Sequence, residues 1–232
     1  MRVLHACMGG LLIQQLDYLS VFYICSAFAF STALLVLFGF QETSKVHNRT
    51  DESSGKVQPK FRQVAKKNFT IAYFHTALSA IFFGVIVSQF VLHAGEIFGR
   101  EYLVGFLLTS YYIAETFIQP PAGRLSDTFG RHSTTLLAFI ACALGFLILI
   151  FTSSLISFLI AIMVIGGSIG GLYVSLTAFL MDVASSSQRG LIAGMQNIAW
   201  GIGYFLGPII GGVAAAYSFS AAYMLCIIVS VI

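Results

Sequence analysis

The sequence predicts an all-α membrane protein, a helical bundle with about six full transmembrane helices and partial helices at both ends. The composition is the first reason: 58% of the 232 residues are hydrophobic and only 9% are charged, whereas soluble domains are about 25% charged. The second reason is that the apolar residues form long runs separated by short polar breaks. This composition excludes a soluble globular enzyme and a largely disordered chain.

Six apolar segments are long enough to cross a hydrocarbon core, which takes about 20 residues. They cover residues 18–40, 70–92, 102–122, 134–153, 155–180 and 191–215. A seventh apolar stretch runs from about residue 221 to residue 232 and is too short to cross alone. In lipid each segment is expected to be a helix, because a helix satisfies its own backbone hydrogen bonds.

Basic residues predict the orientation of these helices. Residues 41–69 carry seven Lys or Arg and three acidic residues, which is typical of a cytoplasmic loop. With this loop inside, ten of the twelve Lys and Arg are cytoplasmic, including Arg124, Arg131 and Arg189. Only Arg2 and Arg100 fall on the other side. We therefore expect a multi-pass protein of the cell membrane that binds no nucleic acid, since its basic residues are not spread over a folded face.

The segment Gly123–His132 is the first strong motif, and it lies in a predicted short cytoplasmic link between two apolar helices. Gly123 and Gly130 permit close packing and a tight reversal. Asp127 can pair with Arg131 or approach a helix N-terminus, where negative charge is favoured. Such a pairing would act as a latch that holds two helices in one state and breaks in the other.

This segment resembles the signature of the major facilitator superfamily, which reads Gly, any, Leu, small, Asp, basic, any, Gly, Arg, basic. The chain departs from it at Thr128 and His132, where a basic residue is usual. Asp182 and Arg189 resemble an acidic and Arg-Gly element that precedes the fifth or eleventh helix of that family. The resemblance implies a conformational latch formed by Gly123, Asp127, Gly130, Arg131, Asp182 and Arg189.

A glycine-rich pattern in the last full span is the second motif. Gly203, Gly207 and Gly211 are spaced by four, so they share one helix face and let another backbone approach closely. Pro208 removes one backbone hydrogen bond and permits a kink. An ordinary packing face stays open as an alternative, and we interpret the similar spacing of Gly166 and Gly170 as packing only. The full set resembles the family's drug–proton antiporter signature and consists of Gly194, Gly203, Gly207, Pro208, Gly211 and Gly212.

Glu115 is the only carboxylate well inside a predicted span. It lies eight residues before Gly123, about 12 Å from the cytoplasmic end at about 1.5 Å per residue. A carboxyl group at that depth is costly when charged and should face the bundle interior, as proton coupling requires. His75 lies at a similar depth and could face it. The candidates for proton coupling or substrate binding are Glu115, His75, Gln119 and Asn197, with structural roles open for each.

The resemblance implies that the chain is an incomplete transporter. A weak repeat relates residues 9–25 to residues 211–226, and the major facilitator fold is built from two six-helix halves. We therefore predict that residues 1–40 end the N-terminal half, residues 41–69 form the cytoplasmic central loop, and residues 70–232 form the C-terminal half with its last helix cut short. In an alternative register the second to sixth spans are the first to fifth helices.

The implied function is secondary active transport of a small, lipophilic solute by alternating access, driven by protons as efflux. The expected partners are the solute, protons, the lipid bilayer and the missing half of the transporter. An uptake symporter of the same fold and a non-transporting membrane protein or intramembrane enzyme stay open. We expect no enzyme activity, cofactor or metal site, because Walker and zinc-protease motifs are absent and the four cysteines are far apart in apolar stretches.

Overall fold

The computed structural model describes residues 18–39, 59–185 and 188–231 of the chain, and no strand occurs among them. The prediction of an all-α protein is thus confirmed. The predictions for residues 1–17 and for most of the central loop lie outside the described residues. The helices are α1 (Tyr18–Gly39), α2 (Pro59–Val85), a π-helical turn (Ile86–Phe90), α3 (Val91–Phe98), α4 (Glu101–Phe129), α5 (Arg131–Ile150), α6 (Leu155–Val183), α7 (Arg189–Ala215) and α8 (Phe219–Val231).

Four helices in the described part are long and apolar enough to cross a membrane, judged by length and composition. They are Phe69–Phe98, Arg131–Ile150, Leu155–Val183 and Arg189–Ala215. Helix α4 has 29 residues but is less apolar, because it carries polar side chains such as Ser110, Glu115 and Ser126 on its buried side. Helix α8 is short and apolar, in agreement with the predicted partial span at the end of the chain.

The links between helices are shorter than predicted. Helix α3 continues to Phe98, and the chain reverses at Gly99, which has a φ of 60°. The motif segment from Gly123 to His132 is not a loop, because α4 runs through Phe129 and only Gly130, with a φ of 91°, separates it from α5. The predicted links were too long because the apolar composition shows only where the chain leaves the hydrocarbon core. These helices continue past that point into polar sequence.

Helix α6 forms the centre of the bundle. It begins after Ser154, whose side chain accepts a hydrogen bond from the backbone N–H of Ser157. The most extensive helix contacts join α4 to α6, α2 to α7 and α5 to α6. Ile162, Ile165 and Ile169 of α6 are completely buried. The other helices bury much less of α7. In its most apolar stretch 17% is buried, whereas the value for α6 is 56%. Most of the α7 surface is therefore left for lipid or another protein segment.

Glycines bring α2 and α7 into backbone contact. A Cβ atom on Gly207 would lie 2.7 Å from the carbonyl oxygen of Ile81 and 2.8 Å from Cα of Gly84. A Cβ atom on Gly203 would overlap the carbonyl oxygen of Ala77. Larger residues at these positions would force the helices apart. We call this contact the α2–α7 seam.

A second glycine contact, the α4–α6 seam, joins α4 to the central helix. A Cβ atom on Gly166 would lie 2.5 Å from the carbonyl oxygen of Tyr111, and one on Gly170 would overlap the carbonyl oxygen of Glu115. Membrane helices gain no hydrophobic free energy by leaving lipid for one another, so close packing of this kind holds them together. The seam also fixes the position of Glu115.

The π-helical turn interrupts the membrane helix Phe69–Phe98 next to the α2–α7 seam. Ser88 donates a hydrogen bond from its hydroxyl to the carbonyl oxygen of Gly84 at 2.7 Å. Gln89 is buried, and a Cβ atom on Gly211 would lie 3.1 Å from its Cγ. Beyond the turn, His93 Nδ1 lies 2.9 Å from the hydroxyl oxygen of Tyr223 on α8. The turn therefore lies between two contacts that tie this helix to its neighbours.

Gly203→Ala should destabilise the protein by about 1–3 kcal/mol, the usual cost of overpacking a close contact. The reason is that the added methyl group meets the backbone of α2 rather than a flexible side chain. The thermal unfolding midpoint of the purified full-length protein in detergent would measure the effect. Gly201→Ala on the same helix is the matched control, since a Cβ atom there meets nothing within 4 Å. Equal midpoints for the two variants would contradict the α2–α7 seam.

Candidate functional site

Arg131 joins the ends of two helices through its guanidinium group. It is the first residue of α5, directly after the turn at Gly130. Its Nε donates to Asp182 Oδ2 of α6 at 2.9 Å, and its Nη1 pairs with Asp127 of α4. The same Nη1 donates to the hydroxyl of Ser126 at 3.1 Å. We call Arg131, Asp127 and Asp182 the arginine bridge.

The charges of the arginine bridge suit its place at a helix N-terminus. Two carboxylates there compensate the positive end of the α5 dipole. Their side chains are 65% exposed for Asp127 and 56% for Asp182, so each ion pair is expected to contribute no more than about 1 kcal/mol. Weak pairs of this kind can break and re-form. Both pairings were among those considered from the sequence, whereas the role of a latch stays a prediction.

Arg189, the remaining member of the predicted latch, lies apart from the bridge. It is exposed at the start of α7. The two ion pairs described at these helix ends both belong to Arg131. Arg189 is therefore a useful comparison residue for the bridge, because it carries the same charge without those contacts.

A cavity of about 260 Å³ lies beside the arginine bridge, between α2, α5 and α6. Residues of α2 line this cavity together with Arg131. The part of α2 that enters the bundle therefore lies at the same end of the bundle as the arginine bridge. This is the arrangement that the basic residues predicted. The lining residues are Ile71, Ala72, His75, Arg131, His132, Thr135, Leu176 and Phe179.

The structure gives His75 and Glu115 different neighbours, contrary to the expectation that they face one another. His75 Nδ1 lies 2.8 Å from the carbonyl oxygen of Ile71, and the ring packs edge-on against Phe139 of α5 with centroids 5.5 Å apart. Glu115 is buried, and its backbone packs on Gly170 of α6. The difference arises because α4 packs along α6, whereas His75 faces α5.

Of two adjacent amides on α7, the structure buries Gln196 and leaves the predicted candidate Asn197 exposed. Gln196 Nε2 donates to the hydroxyl of Thr177 on α6 at 2.7 Å. One residue along a helix turns the side chain by about 100°, which moves Asn197 off the packed face. The sequence could have identified Gln196 as the packed amide, because it lies seven residues before Gly203 and therefore on the same helix face. Gln119 on α4 is half-buried.

Aromatic rings from four helices meet around Phe83 of α2. Its ring centroid lies 6.0 Å from that of Tyr111, 5.8 Å from that of Trp200 and 5.3 Å from that of Tyr204. Trp200 also packs on Tyr173 of α6 at 5.9 Å. We call these five rings the aromatic cluster. Ring faces bind apolar groups and cations, and Glu115 follows Tyr111 by one helical turn.

The sequence alone did not assign this cluster. Tyr111, Tyr173 and Trp200 had no assigned role, because aromatic residues are equally expected at membrane interfaces. Phe83 and Tyr204 were missed. A usable signal was the four-residue spacing of Gln196, Trp200 and Tyr204 beside the glycine face. The cluster could not be assembled without knowing which helices pack together.

The glycine motif of α7 divides into two groups in the structure. Gly203, Gly207 and Gly211 are buried in the α2–α7 seam. Gly194 is exposed, and a Cβ atom there would meet nothing within 4 Å. Gly212 would place a Cβ atom 3.5 Å from Gln89 Nε2, an ordinary contact. Helix α7 continues through Pro208, whose Cδ would lie 2.9 Å from a Cβ atom on Gly84.

Among the described residues there is no group of three His, Cys, Asp or Glu side chains that could hold a metal ion. Cys142 and Cys226 are free and buried. The predicted reading of these two cysteines as buried small residues agrees with their positions in the core.

The comparisons with known proteins agree with these features. A family model described as Major Facilitator Superfamily matches residues 69–232. The tetracycline resistance protein, class B, of Escherichia coli is 30% identical over 167 residues, which are 70% of this chain and 41% of that protein. Multidrug resistance protein fnx1 of Schizosaccharomyces pombe is 35% identical over 60% of this chain and 26% of its own length.

A further relative is vacuolar basic amino acid transporter 1 of Saccharomyces cerevisiae, which is 33% identical over 55% of this chain and 23% of its own length. The matched region thus spans less than half the length of each of these three curated relatives.

Gly130→Ala should destabilise the protein by about 1–3 kcal/mol, the usual cost of a strained backbone conformation. Gly130 has a φ of 91° and a ψ of 152°, which residues with a Cβ atom rarely adopt. Gly123→Ala is the control from the same motif, since Gly123 is helical and its Cβ atom would make an ordinary contact of 3.6 Å with Val174. The thermal unfolding midpoints of the two variants in detergent would measure the difference. A larger decrease for Gly123→Ala would contradict the assignment of Gly130 as the residue at which the chain reverses between α4 and α5.

Proposed function

The chain belongs to the major facilitator superfamily, and on that premise we propose that it is part of a secondary active transporter. Such proteins move a solute by rocking two helical bundles around a site near the middle of the membrane. The observation that carries the proposal is the arginine bridge, in which one guanidinium holds the cytoplasmic ends of α4, α5 and α6.

The arginine bridge suits a conformational latch because it is specific and weak at the same time. Arg131 uses different donors for Asp127 and Asp182, so separation of α4/α5 from α6 breaks one pair without breaking the other. Both carboxylates are more than half exposed, and water can replace the lost contacts. The latch therefore favours the state with closed cytoplasmic ends without locking the protein in it.

The direction proposed is proton-coupled efflux of a small, lipophilic solute across the cell membrane. Support comes from the buried Glu115, from the aromatic cluster beside it, and from relatives that are named multidrug and tetracycline resistance proteins. Glu115 would be neutral when it faces the bundle and charged when it has access to water, which is the cycle that proton coupling needs. The α4–α6 seam would keep the backbone of Glu115 fixed during this exchange.

Transport would require a second helical half besides the described bundle. A site between two bundles cannot be closed by one of them, and the matched region is less than half as long as these relatives. The sparse coverage of α7 fits a surface that meets lipid or such a half.

A solute uptake symporter of the same fold is the second candidate. It is favoured by the name of one relative, vacuolar membrane amino acid uptake transporter fnx2. The two candidates differ in the direction of proton movement. The internal pH of sealed vesicles after solute addition would separate them, because symport and antiport change that pH with opposite sign.

Arg131→Gln should lower the transport rate of the full-length protein at least tenfold, since it removes both pairs of the arginine bridge. Arg189→Gln is the matched control, because it removes the same charge from the same end of the bundle without breaking an ion pair that the structure describes. Solute flux into proteoliposomes would measure both. Equal losses in the two variants would mean that cytoplasmic charge, rather than the bridge, controls transport.

Glu115→Gln should abolish transport driven by a pH gradient, because an amide cannot release a proton. Exchange of labelled for unlabelled solute without a gradient should continue, since that reaction needs no net proton movement. Glu96→Gln, at an exposed position near the opposite end of the bundle, is the control for loss of a carboxylate. Gradient-driven transport at the normal rate in Glu115→Gln would remove Glu115 from the mechanism.

A further inference from the structure

Helix α2 begins well before the apolar part of the membrane span that it opens. Helix α2 starts at Pro59, whereas the segment apolar enough to cross a membrane starts at Phe69. Residues 59–68 therefore form a helical extension about 15 Å long at about 1.5 Å per residue. In the predicted orientation this extension lies on the cytoplasmic side, directly next to the membrane.

The extension carries only positive charge. It contains four basic residues, and no acidic residue occurs between Glu52 and Glu96. The first turn of a helix favours acidic residues, but α2 has none there. Four positive charges near a helix N-terminus reduce its stability in water, and a nearby negative surface would remove that penalty. We call the four residues the basic extension: Lys60, Arg62, Lys66 and Lys67.

The positions of the basic extension lie on one side of the helix. At about 100° per residue they fall within an arc of about 160°. Continued into the membrane span, the same arc contains Thr70 and Phe74, which are both exposed. Further into the span the same arc contains Ala77 and Gly84 of the α2–α7 seam, so the basic positions continue into a side of α2 that is exposed in its first turns and packs on α7 beyond them.

The opposite arc is mostly apolar, with Asn68 as its polar position. It holds positions 61, 64 and 65, which are Phe, Val and Ala. Along the helix this arc leads to Ala72 and Thr76, which are buried in the bundle.

We propose that the basic extension binds anionic phospholipids of the cytoplasmic leaflet. Clusters of four to eight Lys and Arg directly beside a membrane helix attract such lipids. The positions nearest to Phe69, 66 and 67, are within one helical turn of the span. Binding would fix the cytoplasmic end of α2, the helix that packs on α7 through the α2–α7 seam. The proposal depends on membership of a membrane protein family and not on the direction or solute of transport.

Hydrogen exchange of residues 59–69 tests this in the full-length protein, reconstituted in nanodiscs of phosphatidylcholine alone or with 30 mol% phosphatidylserine. We expect at least tenfold slower exchange with phosphatidylserine, and reversal of the difference at high salt because the attraction is screened. Lys60→Gln/Arg62→Gln/Lys66→Gln should lose the difference. Lys45→Gln/Arg49→Gln/Lys56→Gln is the matched control, because it removes the same charge from the sequence that precedes the extension. The ratio of rates in the two lipids cancels intrinsic exchange differences between variants.

Three results would overturn the proposal. Equal exchange in both lipids would mean that the protein alone stabilises the extension. An equal loss of protection in the two triple variants would indicate a general effect of net charge. If inositol hexakisphosphate in phosphatidylcholine nanodiscs gave the same protection as phosphatidylserine, the ligand would be a soluble polyphosphate rather than a membrane lipid.

Discussion

Backbone contact between helices, permitted by glycine, is the constraint on which the rest of this structure depends. Inside a membrane the helices gain little from hiding apolar side chains, so close approach and the dispersion contacts that follow hold the bundle together. The α2–α7 seam and the α4–α6 seam meet this need at two places. Together they set the positions of four helices. The central helix α6 belongs to one of these pairs and also contacts α2 and α7 of the other.

The candidate site follows from these seams. The carbonyl groups of Tyr111 and Glu115 are the atoms that Gly166 and Gly170 accommodate. The α2–α7 seam in turn brings Trp200 and Tyr204 of α7 against Phe83 of α2. The aromatic cluster and the buried carboxyl group are therefore products of glycine packing in neighbouring helices. The arginine bridge joins α4 and α6 to α5 at the end of the bundle where α2 enters it.

Much of this architecture could be predicted from the sequence, because the membrane leaves few choices. Apolar run length predicts the helices, basic residues predict their orientation, and four-residue glycine spacing predicts a packed face. Helix ends were less predictable, since α4 continues through polar residues to Phe129. Neighbour relations were least predictable: depth alone made His75 and Glu115 seem able to meet, whereas their contacts depend on which helices pack together. The same limitation hid the aromatic cluster and favoured Asn197 over Gln196.

The π-helical turn has a consequence for how this helix tolerates changes in length. A π turn holds one residue more than the α-helical ladder would. Everything beyond it is therefore rotated by about 100° relative to an unbroken helix. That rotation brings His93 to Tyr223 of α8. Deleting a single codon from the stretch 86–90 would remove the extra residue, restore regular helix geometry and leave His93 directed at α8, whereas straightening the helix at its present length would turn His93 away.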